Sequence, residues 1–505
     1  MISLLRIHAK ISHCLSINNV FNDHREIIIS ISPGTGNSKP CFHQNEKRYN
    51  FNELFAVLDI AHWLIYSRIA SVRLLSSANE TEAFMNYSEY RDWVSRYIGV
   101  KGRIKNVCTG YILFLMVSVR KHSLDEASRL FEHSKSGYSK FLKNHAGLAV
   151  KSLAHLSRKQ AKRIASALKH LGANKLPWKI AIVVDSTIQK RSTRHTDNAQ
   201  RFNHGKGFVI GHQWTNIIML LNDTVVPLPP IPFHTRNYCR KHALEYKTEH
   251  DLVAAYIMDL QIEDYIGPYR YQEVVVLADS GYDDKKIQNA IAQRKWNFII
   301  SLGKTRSVKS EKTYADTPES KGWIKVADLF RNHRRLKWQT IRIATNGSKR
   351  KRIDFRARQL VGHLRSVGKV KLVCSEYKKR PDGRRKYLAC NDLKATLRHI
   401  VMGYRMRWHI EIFHKEVKMH LGFEDVSARW FQSVKAHVHW VYCAYILLHA
   451  PPFEMPGQAH SLVEKQPKIR QIIDSREICR VRLQLTQFGG VEKYKGELLT
   501  ALQVV

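Results

Sequence analysis

The chain has 505 residues, and 83 Lys and Arg against 43 Asp and Glu give it a formal net charge of +40. Hydrophobic residues make up 44% and aromatic residues 10%, which excludes a disordered polycation and allows a core of normal size. Such a positive surface predicts a polyanionic partner, most commonly the phosphate backbone of DNA or RNA. The apolar stretch 111–119 is about half as long as a membrane span. A membrane-surface protein is the alternative, but the sequence shows no basic amphipathic tail or lipidation signal, so no membrane partner is predicted.

The eight cysteines are dispersed and form no C-x2-C pair, so neither a zinc ribbon nor a disulfide scaffold is indicated. Arg6, His8 and Lys10 interrupt the apolar stretch at the N-terminus, which argues against a signal sequence. These features predict a cytoplasmic protein with reduced thiols. A bound metal is expected to have oxygen ligands, or some of the 26 histidines.

The N-terminal third divides at Met85. Residues 1–84 are weakly periodic and are predicted to be a poorly defined extension, whereas residues 85–175 are predicted to be helical. Within the latter, Ser123 to Glu126 has the form of a capping box, followed by a turn with Gly137 and a second short helix. A DNA-reading helix-turn-helix and an ordinary αα-hairpin explain this pattern about equally well. The helical region is a candidate domain for binding DNA ends.

After Pro177 the pattern changes to strands. The run 179–185 is β-branched and continuous, as in a strand buried on both faces, and 206–220 and 224–230 are predicted to follow it as strands. Helices and apolar strands then alternate, with strands predicted at 273–279 and 297–303. This order predicts a mixed α/β sheet.

The segment 304–390 combines short strand-like pieces with basic runs. Residues 301–390 contain 26 Lys and Arg against 7 Asp and Glu, a net charge of +19. One basic run alone is usually a solvated loop, but the three at 331–337, 349–352 and 378–386 together favour contact with phosphates. A long helix over 393–423 and another over 433–450 are predicted to follow.

Two acids end predicted strands: Asp185 closes the run 179–185, and Asp279 closes the run 273–279. Functional sites gather at the carboxyl ends of strands in open α/β sheets. An Asp at a strand end is also a common turn former or helix cap, and Asp283 and Asp284 add to that ambiguity. Both interpretations stay open on these positions alone.

The helix after the basic segment places four functional groups on one face. Tyr404, Arg407, Glu411 and Lys418 are spaced i, i+3, i+7 and i+14, within roughly 60° of one another on a helical wheel, with apolar residues opposite. An exposed row with an Arg407–Glu411 ion pair is the alternative. It explains the charges, but not the aligned Tyr404 and Lys418.

The string "YRMRWHIEIFHKEVKMHLGF" at 404–423 resembles the Y-x2-R-x3-E-x6-K signature of bacterial insertion-sequence transposases in the group named for insertion sequence four. The strand ends "VVDST" and "LADSGYDD" extend the resemblance to about residues 176–450. The resemblance implies an α/β fold with an RNase H-like catalytic core, interrupted by a β-rich insertion and preceded by the helical region. It places the core at 176–303 and 399–450 and the insertion at 304–398, leaving 451–505 as a C-terminal region with dimerisation as its candidate role.

The same resemblance implies a catalytic triad, which by position is Asp185, Asp279 and Glu411, holding two Mg²⁺ (or Mn²⁺) ions, with Asp185 bridging them. Carboxylate oxygens suit Mg²⁺, and two ions can assist an in-line attack on a phosphodiester. Tyr404, Arg407 and Lys418 would then grip phosphates beside the scissile bond. His409 and His414, which flank Glu411, are interpreted as packing or DNA-contacting residues.

The function implied is cut-and-paste DNA transposition by a homodimer that binds terminal inverted repeats and target DNA in the bacterial cytoplasm, at the nucleoid. Trp323 and Trp338 in the insertion are candidates for stacking on a flipped base in a hairpin intermediate, although a core position is the commoner role for Trp. A non-catalytic DNA-binding protein derived from a transposase is one alternative. An RNase H-like nuclease is another, but it leaves the Tyr, Arg and Lys row unexplained.

Overall fold

The computed structural model describes residues 87–451 with short gaps, and a few residues between 462 and 483. The gaps are 119–121, 132, 172–175, 193–194, 205–206, 318–320, 334, 346–347 and 380–384. All described residues belong to the unit Met85–Val505. The predicted extension 1–84 and most of the predicted C-terminal region lie outside the described residues. The predicted domain boundaries stay predictions.

Five helices precede the first strand. They are α1 Tyr87–Ile98, α2 Lys105–Val117, α3 Leu124–Leu130, α4 Lys135–Asn144 and α5 Ala146–Leu171. The Ser123 side chain caps α3 by accepting a hydrogen bond from the Glu126 N–H at 3.2 Å, at the predicted place. Gly137, predicted in the turn, instead lies in the first turn of α4, because its N–H donates to the capping hydroxyl of Ser134.

The remaining helices are α6 Arg236–Lys241, α7 Glu249–Asp259, α8 Glu263–Ile266, α9 Lys285–Gln293, α10 Glu311–Asp316, α11 Val326–Asn332, α12 Leu397–Met406, α13 Trp408–His420 and α14 Phe431–Leu448. Nearly every residue of α14 is buried, as expected for a helix that is apolar all round. Across the part of the chain that the structure describes, no helix combines the length and the hydropathy needed to cross a membrane.

The strands form one mixed sheet. They are β1 Ile180–Lys190, β2 Gln200–His204, β3 Gly207–Leu221, β4 Thr224–Pro227, β5 Ile231–Pro232, β6 Val274–Ala278, β7 Asn297–Leu302, β8 Ser307–Ser310, β9 Ile324–Lys325, β10 Gln339–Thr345, β11 Ser348–Leu364, β12 Gly368–Tyr377 and β13 Lys386–Cys390. The order is β2-β3-β1-β6-β7-β13-β12-β11-β8-β9, with β4 and β5 on β3 and β10 on β11. At the centre, β1 is antiparallel to β3 and parallel to β6, which is parallel to β7. This arrangement is consistent with the predicted RNase H-like core.

The basic segment between β7 and α12 continues the same sheet. Strand β13 pairs antiparallel with β7, and β12 and β11 follow in turn. The segment also contains the short helices α10 and α11. The segment predicted to be a β-rich insertion is rich in strands, and its strands β13, β12 and β11 extend the central sheet.

The two faces of the sheet contact different hydrophobic clusters. Val183 and Leu277 pack with residues of α12, α13 and α14. Their neighbours Val184 and Ala278 pack on the other face with residues of α7 and α9. Because side chains alternate along a strand, the residue after Val184 and the residue after Ala278 are directed to the face of α13.

The predicted single helix over 393–423 is two helices that meet at Arg407. Arg407 keeps helical dihedral angles, φ −54° and ψ −27°. The backbone tightens there, because the Arg407 N–H donates to the Tyr404 carbonyl and the Ile410 N–H donates to the Arg407 carbonyl. Such i to i+3 bonds form a short 3₁₀ turn, which hydrophobic periodicity does not reveal.

Candidate active site

Asp185 and Asp279 lie side by side. Val184 of β1 pairs in parallel register with Ala278 of β6, so the two acids follow matched positions on strands about 4.8 Å apart. The prediction that Asp185 ends its strand is wrong, because β1 continues to Lys190 along β3. It is the parallel partner β6 that ends there. The pairing of the two acids nevertheless follows from the strand register.

Asp279 is also a helix cap. Its Oδ1 accepts a hydrogen bond of 2.8 Å from the Gly281 N–H at the start of the 3₁₀ turn Ser280–Tyr282. The capping interpretation of this position is therefore correct locally. It does not compete with a site role, because a carboxylate offers more than one acceptor position.

Arg407 joins Asp185 to Glu411. Its Nη1 lies 3.5 Å from Asp185 Oδ2, and its Nη2 donates to Glu411 Oε1. The Arg407 side chain is 13% exposed, so this is a largely buried contact between a strand and a helix. The alternative of an exposed row with an Arg407–Glu411 ion pair is therefore right about the ion pair and wrong about its exposure.

The charges of Asp279, Glu411 and Arg407 all act on Asp185. Burial raises the pKa of Asp185 to about 6, the Arg407 guanidinium opposes this rise, and the negative charges of Asp279 and Glu411 add to it. Part of the unfavourable energy of the ionised Asp185 therefore comes from the other two carboxylates. Such crowding of like charges is typical of functional sites.

The other two residues of the predicted row contact the protein itself. The Arg407 guanidinium carbon lies 5.9 Å from the centre of the Tyr404 ring, and burial raises the pKa of this phenol. Lys418 Nζ donates to the Ile188 carbonyl at 3.0 Å and lies 3.2 Å from Glu424 Oε1. Lys418 thus ties α13 to β1, close to Asp185.

A polar network beneath the acids was missed from the sequence. Asn216 of β3 pairs in register with Asp185; its Nδ2 donates to His414 Nε2 at 2.7 Å, and its Oδ1 accepts from the Tyr442 hydroxyl at 2.6 Å. Burial, with Lys418 and Arg407 nearby, lowers the pKa of His414 to about 3, so this ring is neutral. His409 Nδ1 lies 2.9 Å from the Met406 carbonyl. The available signal was Asn216, a polar residue directly before the apolar run 217–221 of β3.

The donor set suits a divalent metal by its chemistry. Three carboxylates offer hard oxygen ligands, and a cation would favour the ionised form of Asp185, whose pKa burial and the neighbouring carboxylates raise. Within the described residues, no three His, Cys, Asp or Glu side chains are grouped closely enough to hold an ion. The positive charge between Asp185 and Glu411 is that of Arg407.

The two predicted stacking residues are partly buried and lie against cations. Trp338 has the guanidinium carbons of Arg356, Arg358 and Arg385 at 4.8, 4.6 and 5.9 Å from its ring. Trp323 has Arg365 at 4.9 Å and Lys309 at 5.9 Å. Both rings therefore take part in cation–π contacts. Most side chains of the runs 349–352 and 378–386 fall outside the described residues, while Arg331 of the first run is exposed.

The sheet thus places Asp185 of β1 beside Asp279, which follows β6, and Arg407 links Asp185 to Glu411 of α13. Residues 234–447 match the family model for the transposase DDE domain. The matched segment contains Asp279 and Glu411, and Asp185 precedes it. The match supports a DDE transposase. No curated protein matches the chain.

Proposed function

We propose that the chain is a DNA transposase of the insertion-sequence-four group, which moves an insertion sequence by cut-and-paste cleavage and strand transfer at terminal inverted repeats. The observation that carries the proposal is the Arg407 bridge between Asp185 and Glu411, with Asp279 in register beside Asp185. The match of residues 234–447 to a transposase DDE domain supports it.

In this proposal Asp185, Asp279 and Glu411 are the catalytic residues and hold Mg²⁺ or Mn²⁺, two ions in all. Bound there, the metal would activate the attacking oxygen and stabilise the leaving oxygen. Each carboxylate would have to bind as the anion. Burial raises the pKa of Asp185, whereas Arg407 favours its ionised form. Above a pH of about 6, Asp185 is predominantly ionised even without a cation.

The row beside Glu411 is proposed to contact DNA phosphates. Arg407 already lies against two of the carboxylates, so its guanidinium is placed to bind a phosphate that approaches them. Tyr404 and Lys418 flank it, and Trp323 and Trp338 are proposed base-stacking residues. The partners are double-stranded DNA, namely the terminal repeats and the target, and a second copy of the chain, in the cytoplasm.

The test uses purified protein, Mg²⁺ and DNA that spans the ends of the element around its own gene. Wild type is expected to cut at the ends, and Glu411→Gln is expected to bind the same DNA without cutting it. Glu416→Gln is a matched control, because Glu416 is a partly buried acid on the same helix, beside Tyr445. It should cut as wild type does.

Three results would contradict the proposal. Binding without cutting by wild type would favour a non-catalytic DNA-binding protein. Cutting of unrelated DNA or RNA would favour an RNase H-like nuclease. Undiminished cutting by Glu411→Gln would remove Glu411 from the triad.

A further inference from the structure

Glu249 is an acid close to the site that the predicted motifs do not include. It is the first residue of α7, and its carboxylate accepts three hydrogen bonds from side chains. The donors are Gln213 Nε2 at 2.6 Å, Thr215 Oγ1 at 2.7 Å and the Tyr282 hydroxyl at 2.7 Å. Gln213 and Thr215 belong to β3, whereas Tyr282 ends the turn that Asp279 begins. Glu249 therefore joins the sheet to this turn.

On the sheet side, the connection leads to Asp185. Thr215 pairs in register with Ser186, whose N–H donates to Asp185 Oδ1 at 2.9 Å.

On the turn side, the connection leads to Asp279. Gly281, the residue before Tyr282, donates its N–H to Asp279 Oδ1 at 2.8 Å. The Gly281 carbonyl lies 2.9 Å from Nε2 of His250, the residue after Glu249. Two successive residues of α7 thus fix the backbone and the side chain of the Asp279 turn.

Helix capping does not account for Glu249. The start of α7 already has a complete capping box, formed by Thr248 and Asp251. An acid in the first turn gains from the helix dipole wherever it points. That effect gives no reason for three donors from two other elements to converge on one carboxylate.

We infer that Glu249 is a positioning residue that, through Tyr282, fixes the Asp279 carboxylate relative to Asp185. The inference rests on the proposed function of these acids. Residues that orient metal ligands typically change metal affinity or activity by about 10–100-fold when they are removed. In this role the Glu249 carboxylate acts as the acceptor for its three donors.

The test compares Glu249→Ala, Glu249→Gln and Tyr282→Phe with Glu245→Ala, a control acid that is 78% exposed and pairs with Lys247. Two readouts are measured on the full chain: the Mg²⁺ concentration for half-maximal cleavage, and Mn²⁺ affinity from the electron paramagnetic resonance of free Mn²⁺. Binding to the element ends without metal and the melting temperature show that each variant is folded.

Glu249→Ala should weaken Mn²⁺ affinity and raise the half-maximal Mg²⁺ concentration by about 10–100-fold, with DNA binding unchanged. Glu249→Gln should stay close to wild type, because its amide oxygen still accepts from Thr215 and Tyr282. Tyr282→Phe loses one hydrogen bond and should show about a fivefold effect in the same direction. It serves as the test if Glu249→Ala does not fold.

Metal dependence like that of wild type in both Glu249→Ala and Tyr282→Phe would overturn the inference. Equal losses in Glu249→Gln and Glu249→Ala would also overturn it, by showing that the charge itself is used. A wild type that binds Mn²⁺ but does not cut would refute the proposed function alone, and the Mn²⁺ affinities would still decide the inference. A wild type without Mn²⁺ binding would overturn both.

Discussion

Replacing Asp185 by Asn removes a negative charge from a crowded, mostly buried position. The Asp185 side chain is 20% exposed, and burial together with Asp279 and Glu411 raises its pKa despite the opposing effect of Arg407. The folded protein therefore binds the proton of Asp185 more tightly than the unfolded chain does. Asn keeps the shape of the protonated acid and carries no charge. We expect Asp185→Asn to be more stable than wild type wherever Asp185 is ionised.

The magnitude follows from the pKa. Its rise from 3.8 to about 6 corresponds to roughly 3 kcal/mol, at about 1.4 kcal/mol per unit. The folded-state pKa is the higher one. The stability that protonated Asp185 contributes to wild type is therefore fully present below about pH 4 and is lost as the pH rises through about 6. The difference between Asp185→Asn and wild type should be near zero at pH 4 and reach about 3 kcal/mol at pH 8.

Melting temperatures of both proteins between pH 4 and pH 8 test this, in the presence of a chelator because a bound cation would stabilise wild type. For a chain of this size, about 3 kcal/mol corresponds to an increase of about 3 °C at pH 8. Asp316→Asn is the control, since Asp316 is exposed at the end of α10, and it should change little at any pH. A lower melting temperature for Asp185→Asn at pH 8, or a difference independent of pH, would refute the reasoning.

Two further predictions concern the helices that carry the site. Arg407→Met removes the cation that lowers the pKa of Asp185, so NMR titration of the Asp185 carboxyl should give a pKa above that of wild type, and an unchanged value would exclude the bridge. Gly403→Ala should destabilise the protein by about 1–3 kcal/mol, because a β-carbon there would lie 2.8 Å from Ile299 Cδ1 and 2.9 Å from Trp178 Cζ3. Gly147→Ala on α5 meets open space and should be neutral or slightly stabilising in the same denaturation experiment, so equal losses in the two variants would contradict this packing.

Strands with continuous apolar runs could be predicted to within a residue or two. Strand β6 and strand β7 match the predicted runs 273–279 and 297–303 because burial on both faces leaves a plain signal. Strand β2, Gln200–His204, was missed because its residues are mostly polar and it forms by pairing with β3. The end of β1 was also misplaced, since a strand can continue along one neighbour after the other has ended.

The acids of the site could be found from the sequence, whereas most of their partners could not. Asp279 follows an apolar strand and Glu411 stands in a helical row, but the resemblance to the transposase signature was needed to predict that they form a triad with Asp185. Asn216 and Glu249 act through the register of β3 and through contacts between elements far apart in sequence. Such contacts depend on how strands align, which no local pattern specifies.

Arg407 shows how a local pattern changes meaning in three dimensions. In sequence, Arg407 and Glu411 are four residues apart, which alone predicts an ordinary helical ion pair of a few tenths of a kcal/mol. In the structure, the helix breaks at Arg407, and the side chain lies in a mostly buried place where it also reaches Asp185. Loss of either carboxylate would leave the Arg407 guanidinium with one anionic partner. Loss of Arg407 would leave Asp185 and Glu411 without the cation between them. A pair that stabilises one helix thus becomes a link between α13 and β1, in which Arg407 connects Glu411 to Asp185.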